Sequence, residues 1–387
     1  MPATGMFSKL NTAVGQARLA ARVRNMLGVD EDPNVKVGIN GFGRLGRLLA
    51  HAIRETDGVD LVAINDPYID IEYMAYMLQH DGAHGPYRGS VAAEPSEDGT
   101  VRLVLDGRPV TVTQAKEPSE INWVESGARY VIEASGYFDS PKKASGHLRS
   151  GAYRVVVAAP CGDAPQFVVG LNHLQYRDQQ IVSAGSPAAH AAALLARAVD
   201  EAAGVKTACL SVLQASKPHE LEQIGAGPAG PSSLDWRSGR GGGNDVIPSA
   251  SDAALAVGVL LPHLKTKVHG AGFRVPASSG VSVVDLTAEL SSAIEWDALR
   301  RRLREACASA ALSGRLGYRD DVVDGADFVD DGRSCVIDGH SSLALSETFV
   351  KVIGWYAKEW PYAKRLVELL LHMQAVDHGV MMDGEIQ

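Results

Sequence analysis

The chain has 387 residues, 45% hydrophobic and 21% charged, and 37 basic against 46 acidic side chains leave a net charge of −9. That length suits two cores of ordinary domain size, and the acidic balance argues against a broad nucleic-acid surface while leaving room for a local basic patch. No apolar run reaches the roughly 18–20 residues that span a bilayer. The four cysteines, Cys161, Cys209, Cys307 and Cys335, show no CxxC spacing, so they read as free structural thiols in a reducing compartment rather than a zinc site or disulfide framework.

Residues 1–29 hold no Asp or Glu but carry Lys9, Arg18, Arg22 and Arg24, with Leu10, Val14, Leu19, Val23 and Leu27 near helical spacing. Such an arm reads as a mitochondrial or other organelle transit peptide, as a docking arm in an assembly, or as a plain helical extension. Without a targeting role the chain would be cytoplasmic. "VKVGIN" (35–40) predicts a short buried strand, "GFGRLG" a Gly-rich turn, "RLLAHAIRE" an amphipathic helix, and "VDLVAIND" (59–66) a second strand ending in an acid. "TVRLVLDGRPVTVTQ" predicts a hairpin about Asp106-Gly107. "ARYVIEASG" and "YRVVVAAP" continue as buried strands, so the first half reads as a doubly wound parallel sheet.

"SAGSPAAHAAALLARAV" (183–199) reads as a helix start, with Ser186 as N-cap and Pro187 at the first helical position. Beyond it "VKTACLSVLQAS", "KVHGAGFRVPAS" and "GVSVVDLTAEL" alternate as half-covered antiparallel strands would. The Gly/Pro/Ser-rich run 225–245 between them is a long loop of the functional or disordered kind. "SETFVKVIGWYAKEWPYAKRLVELLLHM" predicts mostly helix before a short tail.

Gly41, Gly43 and Gly46 form GxGxxG directly after a strand, with Asp66 twenty residues past the last glycine at the end of the next strand. In that context the pattern predicts a dinucleotide site. The glycines admit a pyrophosphate to the helix N-terminus, and Asp66 takes the ribose hydroxyls. Its charge repels a 2′-phosphate, so NAD is expected over NADP.

"VKVGINGFGRLGRLL", "VDLVAINDPYIDIEYMAYMLQHDGAHGPY", "FRVP", "VSVVDLT" and "FVKVIGWYAKEW" resemble phosphorylating glyceraldehyde-3-phosphate dehydrogenase over about residues 34–373. The resemblance implies an α/β fold, with a Rossmann domain and an α+β catalytic-type domain on a mixed or antiparallel sheet. The expected segments are an extension over 1–33, an NAD-binding domain over 34–183, a catalytic-type domain over 184–350, and a C-terminal helix with tail over 351–387. It also implies a homo-oligomer, normally a tetramer. The stretch 214–236 is about five residues longer than the family's, and "PASSGVSV" carries one extra, at surfaces the family uses for contacts, which puts the usual tetramer in doubt.

Carried over residue by residue, the adenosine half matches: Asn40, Gly41, Phe42, Gly43, Arg44, Leu45, Gly46, Asn65, Asp66, Ser135, Gly136 and Phe138, with Lys116 for an Arg. The substrate half departs. The family's "SNASCTTN" is "SAGSPAAH" here, with Pro187 for the nucleophilic Cys, Ala188 and Ala189 for the two Thr, and His190 for Asn. Proline has neither a nucleophile nor a backbone N–H, and the family uses both at this position. Gln214 replaces the base His of "TTVHA", and glutamine exchanges no proton near neutral pH. Lys358 replaces the Asn of "WYDNE". Ser251 and Asp252 stand in the anion-site "STG", where the acid repels phosphate and Lys217 offsets it in part. Arg274 remains at the substrate-phosphate position, either as a remnant or as a partner for a nearby acid.

The resulting expectation is a catalytically inactive homologue kept as a structural or NAD-binding subunit of an assembly. The alternatives are an NAD-dependent aldehyde oxidoreductase using His190 or His219 as a replacement base, and a nucleic-acid or regulatory role of the groove. No metal is expected.

Overall fold

A computed structural model describes residues 34–82, 85–95, 101–216, 245–277 and 279–379. The N-terminal arm, Lys217, His219 and the Gly/Pro/Ser loop to residue 244 lie outside the described residues. The chain divides into two compact units, one formed by the chain up to Gly185 together with Ala363 onward, the other by Ser186–Tyr362.

In the first unit, strands β1 (Val35–Asn40), β2 (Val59–Asn65), β3 (Val91–Pro95), β4 (Val101–Leu105), β5 (Arg108–Thr113), β6 (Tyr130–Glu133), β7 (Arg154–Val157) and β8 (Ile181–Ser183) form one sheet. Their order is β3-β4-β5-β2-β1-β6-β7-β8. The six strands from β5 across to β8 are parallel, and β4 runs antiparallel to both β3 and β5. The chain leaves β1 toward β2 on one side and reaches β6 on the other, so a crevice opens beyond the carboxyl ends of these strands.

Helices α1 (Arg44–Arg54), α2 (Ile71–Gln79) and α3 (Pro141–Arg149) belong to this unit. One core gathers Phe42, Ile64, Met74 and Leu78, and another Trp123, Val131, Ala144 and Val155. That double covering is why β1 and β6 are almost wholly buried. The predicted hairpin forms: Asp106 and Gly107 have φ of 50° and 74°, the pair of left-handed residues that a tight two-residue connection needs.

The C-terminal segment corrects the expectation of helix from residue 351. Phe349–Ala357 is a strand, β15, and helix α7 (Trp360–Asp377) begins only after it. The period of two decides this: Val350, Val352, Gly354 and Tyr356 alternate into the core, and Pro361 suits only a helix start.

At the far end of α7, the buried Asp377 carboxylate accepts from Tyr130 Oη at 2.9 Å, Tyr176 Oη at 3.0 Å, and Arg154 Nη2 and Nε at 2.8 and 3.0 Å. Tyr130 and Arg154 open β6 and β7, so this cluster fastens the helix end to the sheet. Burial, then the carboxylate, pushes both phenols upward and keeps them protonated donors.

In the second unit, α4 (Pro187–Ala203), α5 (Asp252–Leu260) and α6 (Trp296–Ala308) accompany a seven-stranded mixed sheet. Its strands are β9 (Val205–Ser216), β10 (Ile247–Ser249), β11 (Val268–Pro276), β12 (Val281–Leu290), β13 (Leu316–Arg319), β14 (Cys335–Ser346) and β15, in the order β10-β11-β9-β12-β15-β14-β13. The expected antiparallel pairing holds for β9 with β12 and β12 with β15, but β11 runs parallel to β9. The reason lies in the connection: α5 intervenes between them, and a crossover of that length returns the chain in the same direction.

His372 of α7 is buried, with its ring 4.9 Å from that of His173. Burial pushes its pKa down from 6.5 to about 4; a hydrogen bond to the His173 backbone opposes this and Arg177 adds to it. The unfolded chain gains the proton near pH 6.5 and the folded chain only near pH 4. The contribution is therefore full above pH 6.5 and lost as pH falls to 4, about 3 kcal/mol in all. Urea unfolding of the wild type and of His372→Gln at pH 7 and pH 4 measures it: the wild type should lose more stability by about that amount, and parallel losses would contradict the assignment.

Candidate functional site

The Gly-rich turn is shaped by close backbone contacts. Gly41 has φ +94°, and a Cβ there would lie 2.6 Å from Ser135 Cα. A Cβ on Gly46 would lie 2.2 Å from the Gly41 carbonyl oxygen, so α1 can pack this closely on β1 only without a side chain. Gly43 differs. A Cβ there meets nothing within 4 Å, and as N-cap of α1 it offers no side-chain hydrogen bond. The first turn of α1 holds no acid, so the helix dipole faces the open space beyond Gly43 uncompensated.

That space is a cavity of about 960 Å³ within the first unit. Asn40, Gly41, Gly43, Asn65, Asp66, Lys116, Ser135 and Phe138 line it. Of the other predicted residues, Phe42 is fully buried in the core, Gly46 packs against the turn, Leu45 is half-buried, and Arg44 and Gly136 are exposed. None of these five lines the cavity.

Asp66 is buried, 7% exposed. Its carboxylate accepts from the N–H of Phe42 at 2.8 Å and of Tyr68 at 3.0 Å. A carboxylate has about four lone-pair sites, so two oxygens held in place by backbone still have capacity for two hydroxyl donors. An immobile acid at the end of β2, an unblocked helix N-terminus and a side-chain-free approach at Gly43 fit a dinucleotide.

Sequence reasoning missed several lining residues. Tyr68 and Tyr137 are 76% and 60% exposed, and Lys142, Lys143 and Arg149 of α3 add a basic strip beside Lys116. The local patch that the acidic chain left room for is therefore present. The signal for it was "DSPKKASGHLR", a Ser-Pro helix start followed by two lysines. Lys143 Nζ donates to the Tyr137 carbonyl at 3.2 Å and to Asp139 at 2.8 Å, tying the loop after β6 to α3.

The positions read as the substrate half, Pro187, His190, Gln214, Ser251, Asp252 and Arg274, all lie in the second unit. Pro187 opens α4, and Ser186 Oγ caps it by accepting from the Ala189 N–H at 3.2 Å. Ser186 thus spends its oxygen on the helix. His190 is buried at 2% exposure, with its ring 5.2 Å from that of Tyr362 in an edge-on contact, which makes it part of the packed interior of α4. Gln214 is half-buried near the end of β9, and its register partner in β11 is Arg274, so the two are neighbours on one face of the sheet. Ser251 is the N-cap of α5 without a side-chain capping bond, and Asp252 is exposed.

Burial pushes Cys161 upward, Cys307 to about 12, and Cys335 further still, away from thiolate character. Cys209 is exposed, but it stands five residues before Gln214 and so on the opposite face of β9. Among the described residues, no group of three or more His, Cys, Asp or Glu could hold a metal, and no helix is long and apolar enough to cross a membrane.

Substituting Ser186→Ala should cost about 1 kcal/mol, the usual value of a lost N-cap. Denaturant unfolding measures it; a loss under about 0.3 kcal/mol would show that the hydroxyl does not cap.

Residues 35–141 match the family model for the NAD-binding domain of glyceraldehyde 3-phosphate dehydrogenase, and residues 186–358 match the model for its C-terminal domain. The chain is 42% identical over 342 residues to the chloroplastic glyceraldehyde-3-phosphate dehydrogenase of Arabidopsis thaliana, covering 88% of this chain and 78% of that one. It is 41% identical over 343 residues to the cytosolic glyceraldehyde-3-phosphate dehydrogenase of Sinapis alba and 41% over 340 residues to the glyceraldehyde-3-phosphate dehydrogenase of Danio rerio, each covering 88% of this chain and 98% of the relative.

Proposed function

The chain belongs to the glyceraldehyde-3-phosphate dehydrogenase family, and on that premise we propose that it is a catalytically silent member, retained as an NAD-holding or structural subunit of an assembly. One observation carries the reading. At the head of α4, the position of the family's nucleophile is occupied by Pro187, which lacks both a thiol and a backbone N–H. Gln214 beside Arg274 supplies no base, and a thiol attack needs one. The alternative of an aldehyde oxidoreductase with a substitute base loses support from His190, whose ring is packed in the interior against Tyr362.

NAD is the cofactor of the domain that the chain carries, and when bound it supplies a hydride acceptor. In the proposal Asp66 holds the adenosine ribose hydroxyls, the N-terminus of α1 holds the pyrophosphate, and Tyr68 or Phe138 packs on the base. Ser251 and Arg274 are remnants of a phosphate site that Asp252 opposes.

A protein partner is supported by the sheet of the second unit. On one face of this sheet, Phe273, Leu213 and Val283 align across three strands, and Leu213 is 37% exposed. An aligned apolar row of this kind fits a homo-oligomeric or larger contact. The acid-free N-terminal arm supports an organelle address as part of the same proposal.

An NAD-reduction assay with glyceraldehyde 3-phosphate and phosphate tests the silent-enzyme reading. No turnover above background is expected, and turnover that survives stringent purification would overturn it. Calorimetry with NAD and with adenosine diphosphate ribose tests the retained half: the two affinities should agree within about twofold, because only the adenosine side is intact. A much tighter NAD would mean that the nicotinamide pocket still works.

A further inference from the structure

Glu133 ends β6 and is 2% exposed, yet it neither lines the cavity nor pairs with a Lys or Arg among the described ion pairs. A buried carboxylate needs donors. It has four: Asn40 Nδ2 at 2.5 Å and His147 Nε2 at 2.9 Å on one oxygen, and the Ser135 N–H at 2.7 Å and Oγ at 2.5 Å on the other. Two of these residues, Asn40 and Ser135, line the dinucleotide cavity.

The chain of bonds continues across the sheet. Asn40 Oδ1 accepts from Asn65 Nδ2 at 2.8 Å. Asn65 Oδ1 in turn accepts from Thr113 Oγ1 at 2.8 Å and the Ala115 N–H at 2.9 Å. Asn40, Asn65, Thr113 and Glu133 are the last residues of β1, β2, β5 and β6, four neighbouring strands. On the other side, Trp123 Nε1 donates to His147 Nδ1 at 3.1 Å.

Both the indole and the carboxylate have only one sense, donor and acceptor respectively. The indole makes Nδ1 of His147 an acceptor, so the ring is neutral with its proton on Nε2, facing Glu133. The carboxylate turns the Asn40 amide nitrogen toward itself, which leaves Asn40 Oδ1 for Asn65. We infer that Glu133 is the positioning residue of the dinucleotide site, fixing the amide of Asn40 and the Ser135 loop through hydrogen bonds that converge on its carboxylate, with the Trp123 indole holding His147 as a donor to it. The inference rests on the dinucleotide reading of the cavity. Stability alone is weak grounds for the charge, since replacing buried ionic groups with apolar side chains of similar size is often neutral or stabilising.

Glu133→Gln keeps the size and puts an NH₂ where an acceptor stood. In either orientation the amide meets donors: the Ser135 backbone N–H one way, Asn40 and His147 the other. Its effect should travel to the cavity while the fold survives. Three measurements on the full chain test this. Amide hydrogen exchange at Ser135 should speed up at least tenfold in Glu133→Gln. Nitrogen-15 spectra of labelled histidine should show His147 leaving the single Nε2–H form. NAD affinity by calorimetry should fall at least tenfold.

Trp123→Phe, which removes only the indole donor, guards against a variant that fails to fold; it should free the His147 tautomer and weaken NAD by a smaller factor. Unchanged Ser135 exchange and an unchanged His147 spectrum in both variants would overturn the inference. If the wild type binds no NAD, the dinucleotide reading fails, while the exchange and nitrogen-15 results still decide whether Glu133 orders these groups.

Discussion

A carboxylate buried at the end of β6 sets the geometry on which the first unit's cavity depends. Its oxygens take donors from the end of β1, from the loop after β6 and from α3, so three separate pieces of chain share one anchor. The glycines complete the constraint from the other side. Gly41 approaches Ser135, and Gly46 approaches Gly41, at distances that no side chain tolerates. Polar bonding fixes the strand ends, and steric closeness fixes the turn. The open face at Gly43 is what remains between them.

The second unit matches the family's C-terminal domain, while Pro187 and Gln214 stand where the resemblance places a nucleophile and a base. A serine cap and a first-turn proline are favourable at a helix start whatever the chemistry nearby, so Ser186 and Pro187 give α4 a sound terminus. Folding and catalysis make separable demands on this turn, and Ser186 and Pro187 meet the first.

Local pattern carried much of the fold. The β1 turn, the hairpin at Asp106-Gly107, the α4 cap and the bounds of β9 were legible because each depends on neighbours in sequence. The C-terminal segment was misread where a period of two in "FVKVIGWYA" gave way to helix within a few residues. The parallel run of β11 beside β9 was hidden for another reason: pairing direction depends on the path of the connection, and alternation looks the same either way.

The sequence by itself determined the family, the dinucleotide turn with Asp66, and the proline and glutamine at positions 187 and 214, because these are properties of residue types at fixed spacing. Tertiary structure alone decided which of those residues face the cavity, that Phe42 belongs to the core, and that Lys142, Lys143 and Arg149 reach the same groove as Lys116. It alone joined Trp123, His147, Asn40 and Asn65 into one network of bonds converging on Glu133. Such a network forms only when strand order brings the ends of β5, β2, β1 and β6 side by side, and strand order is set by packing of the whole sheet rather than by any local stretch of sequence.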